Sequence, residues 1–182
     1  MLPKLRILDE QNKMLRTVSK EVVFPLSEKD KKMVEDALKY LEMSQIEEYS
    51  EKYNLRPGMG LAFIQLGVPK RIFVVVNEIE DGIFERYVAI NPKIISYSEE
   101  RIYVEEGEGC LSVNRPVDGI VPRYARIKVE AQDVNGEVHT YRLREDLSVA
   151  FQHELDHLNG VLFVDKIDKN NPYRGRDTMR PI

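Results

Sequence analysis

Two histidines four residues apart, with a glutamate beside the first, give the pattern H-E-x-x-H in His153-Glu154-Leu155-Asp156-His157. On an α-helix, side chains at i and i+4 share one face, so both imidazoles can grip one metal ion. Glu154 can then act as general base toward a water that the metal polarises. The chain has three histidines and a single cysteine. That cysteine, Cys110, lies in Glu108-Gly109-Cys110-Leu111-Ser112. Two imidazoles and one thiolate leave a tetrahedral metal one open position, which catalysis requires.

Each of these residues has a plainer reading. Two histidines on an apolar helix can be hydrogen-bonded core residues, but the neighbouring glutamate argues against it, because burying an unpaired carboxylate is costly. A lone cysteine is ordinarily a small core hydrophobe. Beside a two-histidine site that lacks a third ligand, it becomes the natural candidate. A third segment, Gly58-Met59-Gly60-Leu61-Ala62-Phe63-Ile64-Gln65, is not a G-x-G-x-x-G nucleotide loop. By itself it reads as a tight loop before a strand. Read with the other two segments, it supplies Gln65, whose amide can donate to an oxyanion.

The elements that must position these groups follow from pattern. Ser27-Glu28-Lys29-Asp30 is a helix start, and Val34, Ala37, Leu38, Leu41 and Ile46 recur at helical spacing. These predict one long amphipathic helix from about Glu28 to the low fifties. Arg56 to Gly60 is a loop. Arg71–Val76 and Tyr87–Ile90 read as strands, the second stopped by Asn91-Pro92. Ile127–Val134 and Glu137–Leu143 flank Asn135-Gly136 and predict a hairpin with a type I′ turn. Leu147–Leu158 is a helix entered from Asp146 and stopped by Asn159-Gly160. Together they predict an α+β fold, antiparallel or mixed sheets around a central helix that carries the HExxH motif. The tail from Lys169, with Pro172, Gly175 and Pro181, is expected to be extended or loosely ordered.

At 182 residues, without repeats or low-complexity linkers, the chain is expected to be a single domain, 1–182. Its apolar fraction of 42% and charged fraction of 32% are those of an ordinary folded protein. The net charge of −4 offers no global positive field for nucleic acid or an anionic membrane. No apolar run approaches the roughly 20 residues of a membrane span. The N-terminus carries charges where a signal peptide needs its apolar stretch. One cysteine forms no intramolecular disulfide and fits a reducing compartment. A cytoplasmic protein is the expectation.

The three segments together resemble the peptide deformylase family, whose pattern is G-x-G-L-A-A-x-Q, then E-G-C-L-S, then H-E-x-D-H. The likeness runs from Arg56 to Ile167, and Val113, the long N-terminal helix and the short tail are similar to the family's second class. Two positions depart from the pattern: Phe63 stands where the family has Ala, and Ile64 fills a slot where Pro is frequent. Larger side chains there are expected to alter packing behind Gln65, bearing on substrate preference and rate more than on reaction type.

The resemblance implies hydrolysis of the formyl group from the formyl-methionine end of nascent peptides, releasing formate. It implies Cys110, His153 and His157 as metal ligands, Glu154 as general acid–base, and the Gln65 amide and Leu111 N–H as oxyanion donors. Glu108 and Arg123 align with family positions that pair close to the site. Met59, Gly60 and Gly109 resemble substrate-contact positions. Val149 and Ala150, about one turn before His153, can line a wall beside the metal. The ligand set suits Zn²⁺, Fe²⁺, Co²⁺ or Ni²⁺, and ligand type does not choose among them. The family implies Fe²⁺ in the cell, with the others able to substitute. A monomer is expected, and the substrate class implies at most a transient ribosome contact. The rivals are a zincin-like metallopeptidase, whose third ligand would come from downstream (Asp165 or Asp168), and a catalytically degenerate family member.

Overall fold

A computed structural model describes residues 1–182. Strands β1 (Gly60–Ala62), β2 (Ile72–Glu80), β3 (Ile83–Tyr97), β6 (Arg126–Gln132) and β7 (Val138–Arg144) form one antiparallel sheet in the order β1-β2-β3-β6-β7. Strands β5 (Arg123–Tyr124), β4 (Arg101–Tyr103) and β8 (Arg180–Pro181) form a second, mixed sheet in that order. The α-helices are α1 (Glu28–Gln45), α2 (Glu47–Tyr53) and α3 (Glu145–Leu158). The architecture is α+β with antiparallel and mixed sheets, as the sequence predicts.

Strand β2 shows why the large sheet is covered on both faces. Successive side chains of a strand point to opposite sides. Phe73 and Val75 pack with Phe151, Leu155 and Leu158 of α3, whereas Ile72, Val74 and Val76 pack with Val34, Ala37 and Leu41 of α1. The Phe151 ring meets Phe73 edge-on at 5.2 Å. The motif helix α3 is the last α-helix in the chain, and its other side reaches the small sheet through Gln152 and Ser148. Gln152 accepts from the Tyr124 N–H at 2.9 Å, and the Ser148 hydroxyl donates to the Tyr124 carbonyl at 2.8 Å.

Four expectations need correction. The long helix breaks after Gln45: Ile46 is extended and α2 follows. The Ser44 hydroxyl donates back to the Leu41 carbonyl at 2.7 Å, and the Gln45 amide donates to the carbonyls of Gly58 and Val76, both at 2.9 Å. The turn that ends α1 therefore serves the loop next to it rather than continuing the helix. Strand β3 does not stop at Asn91-Pro92. It absorbs them in a bulge and runs on to Tyr97, with Asn91 at φ +51° and its side chain bonded to Val22 and Gln132. The hairpin turn is not type I′, since only Gly136 has positive φ. The Asp133 carboxylate accepts from the N–H groups of Asn135 and Glu137, giving a longer loop closed at Gly136.

The fourth correction is the tail. It is extended but not loose: β8 pairs in parallel with β4, and Ile182 packs beside Ile102, Ala125 and Val149. Arg180 forks onto Glu145 at 2.6 and 2.9 Å, at the first residue of α3. Deleting Arg180–Ile182 is expected to cost about 1–3 kcal/mol of folding stability. Urea unfolding checks it, and an unchanged midpoint would mean that the tail is not docked.

Candidate active site

Three elements converge on one place. The i, i+4 geometry of α3 brings the rings of His153 and His157 to 5.0 Å between centroids. The loop before β5 delivers Cys110. One ligand atom from each of Cys110, His153 and His157 lies within 4.8 Å of the others. Cys110 Sγ stands 3.3 Å from His157 Nε2. Bonds of roughly 2.3 Å to sulfur and 2.0 Å to nitrogen, at a tetrahedral angle, put such a pair about 3.5 Å apart. Closing a cation between these atoms therefore needs little movement.

Second contacts fix the ligands. His153 Nδ1 meets Glu108 Oε1 at 2.9 Å, which leaves Nε2 as the atom free to bind. The Phe163 ring stacks on His153 at 5.9 Å. Glu108 in turn takes a two-pronged bond from Arg123, at 2.8 and 2.9 Å, and the remaining arm of Arg123 donates to Asp156 at 2.6 Å. Arg123 is 2% exposed. Burial alone would raise the Glu108 carboxyl, but bonds from Arg123 and His153 hold it down to about 2. Burial pushes His157 well below the usual imidazole range, so it stays neutral and able to ligate. Its Nδ1 is buried without a partner.

Glu154 is 3% exposed, and burial pushes its carboxyl up to about 7. Its Oε2 has no hydrogen-bond partner. The reason it fits so closely is Gly60: a Cβ there would stand 2.4 Å from Glu154 Oε1. Gln65 is held from both ends. Its carbonyl accepts from the Ala62 N–H at 2.9 Å, and its amide donates to Ser112 Oγ at 3.0 Å, with Cys110 Sγ at 3.7 Å. The Leu111 N–H donates to no acceptor in the protein.

A cavity of about 350 Å³ opens onto these groups. It is lined by Met59, Gly60, Gln65, Glu108, Gly109, Cys110, Leu111, Val149, Ala150, His153 and Glu154. All the residues read from the sequence as chemistry or substrate contacts are thus brought together, except that His157 and Arg123 stand behind the cavity wall. A Cβ at Gly109 would meet nothing within 4 Å, so packing within the chain does not require glycine there. Phe63 and Ile64 do not line the cavity. Phe63 packs in the core under α1 and Ile64 in the core under α3.

The sequence reading missed Ser112, Asp156, Asp146 and Val104. Asp156 carried a signal: a carboxylate on a helix this buried needs a cation, and Arg123 is that cation. Ser112 supports both Gln65 and the Cys110 sulfur, to which its N–H points at 3.5 Å. Asp146 and Val104 line the cavity, as do Arg56, Pro57, Gly58 and Gly107. The downstream acids that a zincin-like reading needs are engaged elsewhere, Asp165 with Arg16 and Asp168 with Arg174.

Two substitutions test the arrangement. Arg123→Ala leaves the buried Glu108 carboxylate without its cation, and Asp156 with only Lys166 at 3.5 Å, and is expected to cost about 3–5 kcal/mol. With Glu108 no longer held against His153, divalent-metal affinity should fall about 10–100-fold. Denaturation and chelator competition measure the two effects, and no change in either would remove the support role. Gly60→Ala should push Glu154 aside, leaving metal content intact while lowering turnover by roughly 100-fold; unaltered turnover would show the contact to be slack.

The family model described as polypeptide deformylase matches residues 4–173. A "Peptide deformylase 2" of Bacillus anthracis is 46% identical over 182 residues, covering 100% of this chain and 99% of that protein. One of Bacillus subtilis is 42% identical over 174 residues, 96% of this chain and 95% of the relative. Among solved structures, the peptide deformylase of Thermotoga maritima superposes with TM-score 0.71 at 33% identity, over 90% of this chain and 97% of the other. A plant peptide deformylase gives 0.76 at 29% identity, over 95% and 85%. With matches that span nearly its whole length in sequence and in fold, the chain belongs to the polypeptide deformylase family.

Proposed function

We propose that residues 1–182 form a single catalytic domain in which α3 is the central helix, hydrolysing the N-formyl group of formyl-methionyl peptides. The reaction releases formate and a free N-terminal amine. The observation that carries the residue assignment is a buried carboxylate oxygen of Glu154 with no partner, facing one cavity together with Cys110 and His153.

Cys110, His153 and His157 would hold a divalent metal ion, which supplies Lewis acidity and lowers the pKa of a water. Fe²⁺ is the ion assigned for the cell, with Zn²⁺, Ni²⁺ or Co²⁺ as substitutes. A thiolate with two imidazoles accommodates all four. Glu154 takes the proton from the attacking water and later hands it to the leaving amine. As the formyl carbon becomes tetrahedral, its oxygen gains charge, and the Gln65 amide and the Leu111 N–H donate to it. Gln65 is suited to this because its carbonyl is tied to Ala62, so its amide already points at the site.

The methionine side chain would lie against Met59, Val149 and Ala150. Gly60 and Gly109 would leave the peptide backbone room to approach. The substrate is taken as the nascent chain's formylated end, met by a monomer in the cytoplasm through no more than a transient ribosome contact. No helix is long and apolar enough to cross a membrane.

Formate release from formyl-Met-Ala-Ser by anaerobically prepared, metal-loaded protein tests the reading. Glu154→Ala should lower kcat by about 10²–10⁴-fold with metal still bound. Full activity in that variant would remove Glu154 as the base, and an inactive, fully metallated wild type would overturn the deformylase reading.

A further inference from the structure

Arg56, in the loop ahead of β1, lines the cavity, and its guanidinium gathers three carbonyls from the loop that carries Cys110, that of Cys110 among them. Nη1 donates to the Val113 carbonyl at 2.9 Å. Nη2 donates to the Leu111 carbonyl at 2.8 Å and to the Cys110 carbonyl at 3.2 Å. Residues 108–113 contain no helix or strand, and two backbone bonds hold them, Val113 N–H to the Cys110 carbonyl at 3.1 Å and Glu10 N–H to the Ser112 carbonyl at 2.8 Å. Arg56 adds a second hold on the Cys110 carbonyl and supplies the donor to the Leu111 carbonyl.

The planes matter because a trans peptide points its C=O and its N–H in opposite directions. Pinning the Cys110 carbonyl to Arg56 turns the next N–H, that of Leu111, away from the guanidinium. This is the N–H with no acceptor in the protein. Pinning the Leu111 carbonyl likewise turns the Ser112 N–H away, and it meets Cys110 Sγ at 3.5 Å. Arg56 itself rests on a fixed base, since Gly58 N–H donates to Ser44 Oγ at 3.2 Å and the Gly58 carbonyl accepts from Gln45 at 2.9 Å.

We propose that Arg56 is a positioning residue for the reaction, fixing the 110–112 peptide planes so that Leu111 N–H faces the oxyanion and Ser112 N–H faces the thiolate. The assignment rests on the deformylase reading for its catalytic consequence but not for its geometry. The test uses metal-loaded, full-length wild type, Arg56→Ala and Arg56→Lys, with three readouts: formate release, metal content, and the amide NMR resonances of Leu111 and Ser112. Losing a properly aimed oxyanion donor typically costs about 10²–10³ in kcat, and a donor left only partly aligned should cost at least about tenfold.

The expected result for Arg56→Ala is a kcat lower by about 10–100-fold, KM within about twofold, metal retained and both amide resonances shifted. Guanidinium ion added to that variant should restore part of kcat. Arg56→Lys, which keeps the charge without the planar fork, should fall between. Unchanged kcat with unchanged amide resonances would overturn the proposal, as would a loss of rate that merely tracks loss of metal. If Arg56→Ala does not fold, Arg56→Lys carries the same comparison. An inactive wild type would defeat the deformylase reading, while the two resonances would still decide whether Arg56 sets the planes.

Discussion

A guanidinium that solvent barely reaches is the charge around which the site is built. Arg123 sits at 2% exposure and would be very costly there unless every partner were in place. Its partners are Glu108, on the loop that carries Cys110, and Asp156, on the helix that carries both histidines. Satisfying one buried cation thus ties together the two segments that carry Cys110 and the two histidines. Glu108 passes the constraint onward to Nδ1 of His153. The cluster fixes tautomer, ring orientation and the distance between loop and helix at once. Such a network is weak evidence for stability as such; what it supplies here is a unique arrangement of the ligands.

The remaining parts hang on that arrangement. The large sheet is a rigid layer with α1 on one face and α3 on the other, so β1 reaches the site with its backbone already set by pairing to β2. The break after Gln45 makes sense in these terms. A continuous helix would carry Ser44 and Gln45 through as ordinary surface turns. Ending there lets both side chains hold Gly58, and through it the loop that brings Met59 and Gly60 to the cavity.

Much of this was legible in the residues. The i, i+4 histidines and the single cysteine could be picked out because the chain has so few of either, and they do meet in one cluster. Ser27 caps α1 as its pattern implies, with its hydroxyl accepting from the Asp30 N–H. What was not legible depends on contacts distant in sequence. Nothing local says that Ser44 bonds to Gly58, or that the Asn91 side chain is anchored to Val22 and Gln132, so one helix was read too long and one strand too short. The tail was misread because Pro and Gly suggest irregularity, while its order comes from β4 and Glu145 far upstream. Phe63 looked like a disturbance to the site because the motif places it two residues from Gln65. The 3₁₀ turn at Phe63–Leu66 instead points it into the core under α1, where its bulk replaces no part of the cavity.

The placement of Glu154 shows the trade that such a site makes. A carboxyl kept this dry is raised to about 7, which brings its proton affinity close to neutral pH. Dryness comes from packing against Gly60, where any side chain would collide. A cation held by the three ligands would draw the carboxyl back toward ionisation, since an opposite charge nearby favours the charged form. Burial and cation therefore act in opposite senses on one group. The glycine matters because it lets the carboxyl pack without a side chain between it and β1, which is the source of its desolvation.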